Sequence, residues 1–191
     1  MEPAGLPEPF RAAVSGLRAV VTDSGRPDLD LQEVPAPKRL APYAVAISAE
    51  VCRDAEQIAS GRFVVLHDPD GHEGWQGDTR VVAFVSADVE AEMAADPALA
   101  QVGWSWLTDS LRDRDAPHTA AGGTVTRTVS CRFGQLEDAI EVSEVEVRAS
   151  WTPLPRADGT TDLGVHLLAW CDLLSATAGL PPPGVVAFRS R

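Results

Sequence analysis

Residues 62–89 read RFVVLHDPDGHEGWQGDTRVVAFVSADV. Two apolar runs rich in β-branched residues, RFVVLH (62–67) and TRVVAFVSADV (79–89), flank a polar segment. Val, Ile and Phe fit a pleated, half-buried surface, so both runs read as strands. The second is apolar almost throughout, which suits the centre of a sheet. Between them, Asp68-Pro69-Asp70-Gly71 is a turn signal. Proline presets φ, the aspartates bond local amides, and glycine accepts positive φ. The segment therefore reads as the loop of a β-hairpin.

The same segment has a chemical alternative. His67, Asp68, Asp70, His72 and Glu73 are all metal-ligand types. The spacing fits no known loop, however. Gly71 comes two places early for an EF-hand, and the twelfth residue from Asp68 is Thr79, not Glu. Pro69 and Gly71 forbid an HExxH helix. The hairpin is the preferred reading, and a metal-dependent hydrolase using those five residues is the alternative.

On the N-terminal side, Phe10, Ala13, Val14, Leu17 and Val21 recur at helical spacing, predicting an amphipathic helix over 9–21. Leu29 and Leu31 suggest a short edge strand, and three prolines in VPAPKRLAPY (34–43) mark an extended connector. Tyr43, Val45, Ile47, Ala49 and Val51 alternate on one face of a strand. EQIASG (56–61) reads as a linker.

On the C-terminal side, Asp96-Pro97 reads as the opening of a helix that runs through residue 113. AAGGTVTR (120–127) reads as a Gly-Gly turn ahead of a strand, TVTRTVSCRF (124–133), and EVEVRASW (144–151) is the next strand. Asp162 caps a last helix with Leu163, Leu167, Trp170, Cys171 and Leu174 on its face. Gly179 follows as its left-handed terminator and LPPPG (180–184) as its stop. The order α-ββββ-α-ββ-α predicts an α+β fold with a mainly antiparallel sheet and three helices. One domain is expected over 8–187, with loose tails at 1–7 and 188–191. A 63-residue shift lays VGWSWLTDSL (102–111) on VHLLAWCDLL (165–174), and Val82 and Phe84 on Val145 and Val147, hinting at a duplicated β-β-α unit.

Composition narrows the function classes. The 191 residues carry a net charge of −12, with a pI of about 4.6. That repels phosphate backbones and anionic membranes, so neither direct nucleic-acid nor membrane binding is expected. The acidic, Pro-rich start lacks the pattern of a signal peptide, so the expected location is cytoplasmic. Cys52, Cys131 and Cys171 are far apart in apolar patterns and read as buried thiols. There is no GxSxG, GxGxxG or Walker loop, and none of His67, His72, His118 and His166 has a recognisable relation to a nucleophile. No cofactor is implied.

Arg127 interrupts the apolar row Val125, Val129, Cys131, Phe133. A solvated arginine is the first reading, a structural ion pair the second and a ligand anchor the third. Trp104 and Trp106, two apart, cannot share a helical face, so one is expected inside and the other more exposed, as an interface residue. Glu141, Glu144 and Glu146 read as the solvated side of a strand.

Several phrases together, PFRAAVSGLRAV, EVPAPKRLAPYAVAISAEV, MAADPALAQVGWSWLTDSL, GTVTRTVS and EVRASWTPLP…LGVHLLAWCDLLSATAGLPPPGVV, resemble the actinobacterial domain-of-unknown-function family numbered three thousand. The resemblance covers about 8–187 and implies an intracellular protein without assigned activity; it carries over no catalytic residue. The element order is also similar to that of type III secretion chaperones, commonly homodimers that hold a partner chain. The leading expectation is a non-enzymatic acidic module that binds a protein partner, as a homodimer, through Trp104, Trp106 and Arg127. A metal-dependent hydrolase or a small-ligand binder near Arg127 are the alternatives.

Overall fold

The computed structural model describes residues 5–53, 56–131, 133–136 and 143–181. The elements are α1 (Glu8–Thr22), β1 (Leu29–Val34), β2 (Tyr43–Arg53), β3 (Glu56–His72), β4 (Gly77–Val89), α2 (Ala91–Ala95), α3 (Leu99–Asp113), β5 (His118–Val129), β6 (Ser143–Pro153) and α4 (Leu163–Thr177). The fold is α+β, with four helices among the described residues rather than the expected three, because the short α2 precedes the predicted long one. All ladders of the sheet are antiparallel, in the order β1-β2-β3-β4-β6-β5. As read from the sequence, β1 is an edge and β4 is interior.

Alternation explains the two faces of the sheet. Val45, Ile47, Phe63, Val65, Val81, Val85, Val147 and Trp151 point to one side and are buried there under the helices. On that side α1 contributes Phe10, Ala13, Val14 and Leu17, and α3 contributes Leu99, Gly103, Leu107 and Leu111. The fourth helix packs against α1, α3 and the sheet, so it is apolar nearly all round, with His166, Trp170 and Cys171 among its buried residues. Asp162 caps it by accepting from the Gly164 and Val165 amides. Gly179, at φ 66°, ends it as expected. Residues 182–184 of the expected stop lie outside the described residues, as do 1–4, 188–191 and Glu141.

Several expectations are corrected. EQIASG is no linker: it is the first part of β3, paired through Ala59 with Val51 and Ala87. Gly61 suits that strand because an added Cβ would stand 2.6 Å from the Trp170 ring. The strand expected over 124–133 is His118–Val129 instead. Gly122 and Gly123 lie inside it, opposite Ser150 and Ala149; Trp104 packs over Gly123, where a Cβ would meet its ring at 3.0 Å. Only Cys171 is buried; Cys52 and Cys131 are exposed, because Cys52 sits past the well-buried part of β2 and Cys131 past the end of β5. Asp96 accepts from the Ala98 amide, but the helix begins three residues later than it, at Leu99.

The 63-residue shift that hints at a repeat does not match the structure's own spacing. The helices α3 and α4 begin at Leu99 and Leu163, an offset of 64 (163 − 99) rather than 63. Under 63, Val82, which is 39% exposed, would match Val145, which is fully buried. A strand alternates with period two, so an odd offset swaps faces. The even offset lays Leu99 and Leu107 on Leu163 and Cys171, all buried. The units β3-β4-α3 and β5-β6-α4 then stand side by side, with β4 and β6 adjacent in the middle of the sheet.

Candidate functional site: the uncovered half of the sheet

The face of the sheet away from the helices divides in two. Over β2 and β3, Ala46, Val64 and Leu66 are buried, packed with Val34, Ala36, Ala41 and Trp75. The proline-rich connector between β1 and β2 thus works as a cover. It is fastened by Arg62, which donates from Nη2 to the Pro35 carbonyl at 2.8 Å.

Over β4, β6 and β5 the turn at Trp75 covers Thr152 at one end, and beyond it no described element covers the outward side chains. The register places Arg62 beside Phe84, Phe84 beside Arg148, and Arg148 beside Thr124, one row across four strands. The Arg148 guanidinium lies 5.2 Å from the Phe84 ring centroid, a cation–π distance. The neighbouring row holds Val82, Ser150 and Gly122. With Phe84 and Arg148 they border a shallow hollow of about 640 Å³. Below it Arg80 donates to Ser150 Oγ at 2.7 Å and to Thr152 Oγ1 at 3.1 Å. Its partners are neutral, and burial draws its pKa below the usual arginine value. At the other end of the face, Glu144 bonds Ser86, and Glu146 accepts from Arg148. Two arginines thus flank an outward aromatic ring, with a third two rows away, in a protein of net charge −12.

The edge beside this face is β5. Its outward residues Thr124, Thr126 and Thr128 are exposed, and it pairs only with β6 among the described residues. The opposite edge, β1, carries Asp30, Gln32 and Glu33 and leads into Pro35, whereas β5 is broken by a register shift between Thr119 and Gly122 and carries Arg127 but no proline.

The residues singled out from the sequence lie elsewhere and do not converge. Trp104 and Trp106 are both half-buried and pack against the main core from α3, on the helix-covered side; the expected inside–outside split is absent because both indoles reach the core. Arg127 points to that same side. It is exposed, and its guanidinium donates to the carbonyls of Ala94, at 3.0 Å, and Asp96, where it satisfies the end of α2. The five residues of 67–73 also separate. His67 is 6% exposed and stacks on Phe10 at 4.6 Å, whereas His72 stacks on Trp75 and accepts from the Gly74 amide. Asp68 accepts from the Asp70 amide, and Glu73 starts a single 3-10 turn. No group of three or more His, Cys, Asp or Glu side chains able to hold a metal occurs among the described residues. The hairpin is real, but its turn is Glu73–Gln76. Residues 68–71 are an insertion in β3, between the pairs His67–Thr79 and His72–Gly77.

Sequence reasoning missed the row on the open face. Arg62, Phe84 and Arg148 are remote in sequence, and each looks like an ordinary strand residue. The alternation of β4 carried the one available signal: Val82 and Phe84 are apolar on the polar side of a strand.

No curated protein and no solved structure matches the chain, so the likeness to secretion chaperones rests on element order alone. A family model matches residues 6–186, and the chain belongs to that family, described as a protein of unknown function (DUF3000).

Proposed function

We propose that the chain is a protein-binding module that takes an acidic, extended segment of a partner on the uncovered half of its sheet. The observation that carries this reading is the Arg62–Phe84–Arg148 row. It supplies an aromatic anchor for an apolar side chain and two guanidinium groups, held by Pro35 and Glu146, whose remaining N–H donors suit carboxylates; aromatic and arginine side chains dominate protein interfaces. Opposite charge across such a face steers encounter and selects partners. No helix among the described residues is long and apolar enough to cross a membrane, and nothing in this reading calls for one.

The test uses synthetic peptides that alternate glutamate with phenylalanine, against matched peptides that alternate lysine with phenylalanine. The acidic set binds the full chain, more weakly as salt rises, and Phe84→Ser or Arg148→Glu abolishes binding. Equal binding of the lysine set, or binding that survives both substitutions, overturns the reading.

A second reading is favoured by the free edge: two copies pair through β5. Light scattering would then give a dimer mass, shifted to monomer by Thr126→Lys, which puts a charge in mid-edge. A monomer at all concentrations removes this reading and leaves the first intact.

A further inference from the structure

On the helix-covered side a cleft of about 590 Å³ opens between α1, the ends of β3 and β4, and the loop that leads into α4. It is within the size range of small-molecule sites. One wall is apolar: Phe10, Ala13 and Gly16 of α1, with Leu163 at the start of α4. The other wall is polar and begins with a chain of hydrogen bonds. Thr79 donates its hydroxyl to Asp78 Oδ1 at 2.8 Å, and Thr79 Oγ1 lies 3.0 Å from His67 Nδ1.

That chain selects the tautomer of the neutral imidazole. A carboxylate only accepts, so the single Thr79 hydroxyl proton goes to Asp78. His67 Nδ1 must then be the donor to Thr79, and the neutral ring carries its proton on Nδ1. The Nε2 lone pair is left over. Among the described residues Nε2 has no hydrogen-bond partner, and His67 lines the cleft.

The charges of the cleft are unbalanced. Arg156 is matched by Asp162 at 3.0 Å. Asp158 accepts from the amide and hydroxyl of Thr160, and Asp78 has a side chain 62% exposed. No second arginine or lysine lines the cleft to neutralise these two. The site therefore presents a bare acceptor and surplus negative charge beside an apolar wall.

We propose that this cleft binds a small organic cation, an amine on an apolar body. Its ammonium group donates to His67 Nε2 and is balanced by Asp78, while its apolar part lies against Phe10, Gly16 and Leu163. This site is separate from the open sheet face and does not depend on the protein-binding reading.

The experiment titrates the full chain, with 15N-labelled histidine, with phenethylamine and separately with 3-phenylpropionate, a probe of similar size and opposite charge. The expected result is a saturable shift of the His67 Nε2 resonance with the amine and none with the acid. Asp78→Asn weakens amine binding about fivefold, the loss expected when a largely exposed counter-charge is removed. Asp113→Asn, on the exposed end of α3, leaves it unchanged. Gly16→Leu fills the cleft without altering charge and abolishes binding. The proposal is overturned by the absence of a saturable shift, by equal binding of the acid, or by undiminished amine binding in Asp78→Asn and Gly16→Leu.

Discussion

Trp151 on β6 donates its indole N–H to Nδ1 of His166 on α4 at 3.1 Å, and both side chains are buried, at 0% and 1% exposure. Burial is the main cause that pushes the His166 pKa down to about 4, with His118 adding to it and Asp162 opposing. The unfolded chain takes up this proton near the ordinary value of 6.5, and the folded chain does so only near 4. The contribution is therefore fully present above 6.5 and is lost as pH falls toward 4. A depression of that size corresponds to on the order of 3 kcal/mol. Urea unfolding at several pH values should show this loss, and His166→Phe should flatten it.

The cations at the core edge make a second prediction. Arg26, with its side chain 5% exposed, bonds Asp28 at 2.9 Å and Asp172 at 3.1 Å. Arg114 bonds the same Asp172 at 2.6 Å. The Asp28 hydrogen bond is the largest cause that raises the Arg26 pKa, and the Asp172 hydrogen bond does the same for Arg114. Asp172→Asn removes the charge both arginines share. The expected loss is about 3 kcal/mol, measured by chemical denaturation, whereas the exposed pair Arg112–Asp109 should cost under about 1 kcal/mol when broken.

Gly61 tests the packing of α4 on the sheet. A Cβ there would stand 2.6 Å from Trp170 and 2.9 Å from the Phe84 carbonyl oxygen. That carbonyl accepts from the Trp170 indole at 3.2 Å, so neither neighbour can give way freely. Gly61→Ala should destabilise by about 2 kcal/mol through overpacking. A thermal melt equal to that of the parent protein would contradict the packing.

The three thiols should separate cleanly. Burial pushes Cys171 up to about 12, so it carries almost no thiolate at neutral pH. Cys52 and Cys131 are exposed. A thiol reagent should label two cysteines in the folded protein and three in denaturant. Rapid labelling of all three in the native state would show that α4 is not packed as described.

For the segment 67–73, elemental analysis of purified protein should give the same metal content before and after His67→Ala and His72→Ala. One bound equivalent that disappears in those variants would restore the metal reading against the separation of the two rings.

Strong local patterns were readable without coordinates. The helical spacing of Phe10, Val14 and Leu17, the alternation from Val45 to Val51, the cap at Asp162 and the apolar run of β4 all predicted their elements correctly. Each is a short-range consequence of side chains needing one buried face or one satisfied helix end. Boundaries fared worse where pairing overrides propensity. Gly122 and Gly123 look like a turn, yet they are strand because β6 pairs with them at Ser150 and Ala149, where a Cβ on Gly123 would meet the Arg148 carbonyl oxygen. EQIASG looks like a linker, yet β2 and β4 pair with it on both sides.

The amino-acid sequence by itself determined the α+β class, the number of principal strands and the acidic surface, because period, punctuation and charge are properties of neighbours along the chain. Only the tertiary structure decided which residues meet. It put Arg62, Phe84 and Arg148 in one row, because strand register brings together positions far apart in sequence. It also placed Arg127 on the carbonyls of α2 and joined His67 to Thr79 and Asp78. It pulled His67 and His72 apart, because the bulge of 68–71 between them puts one ring in the cleft beside α1 and leaves the other on the surface.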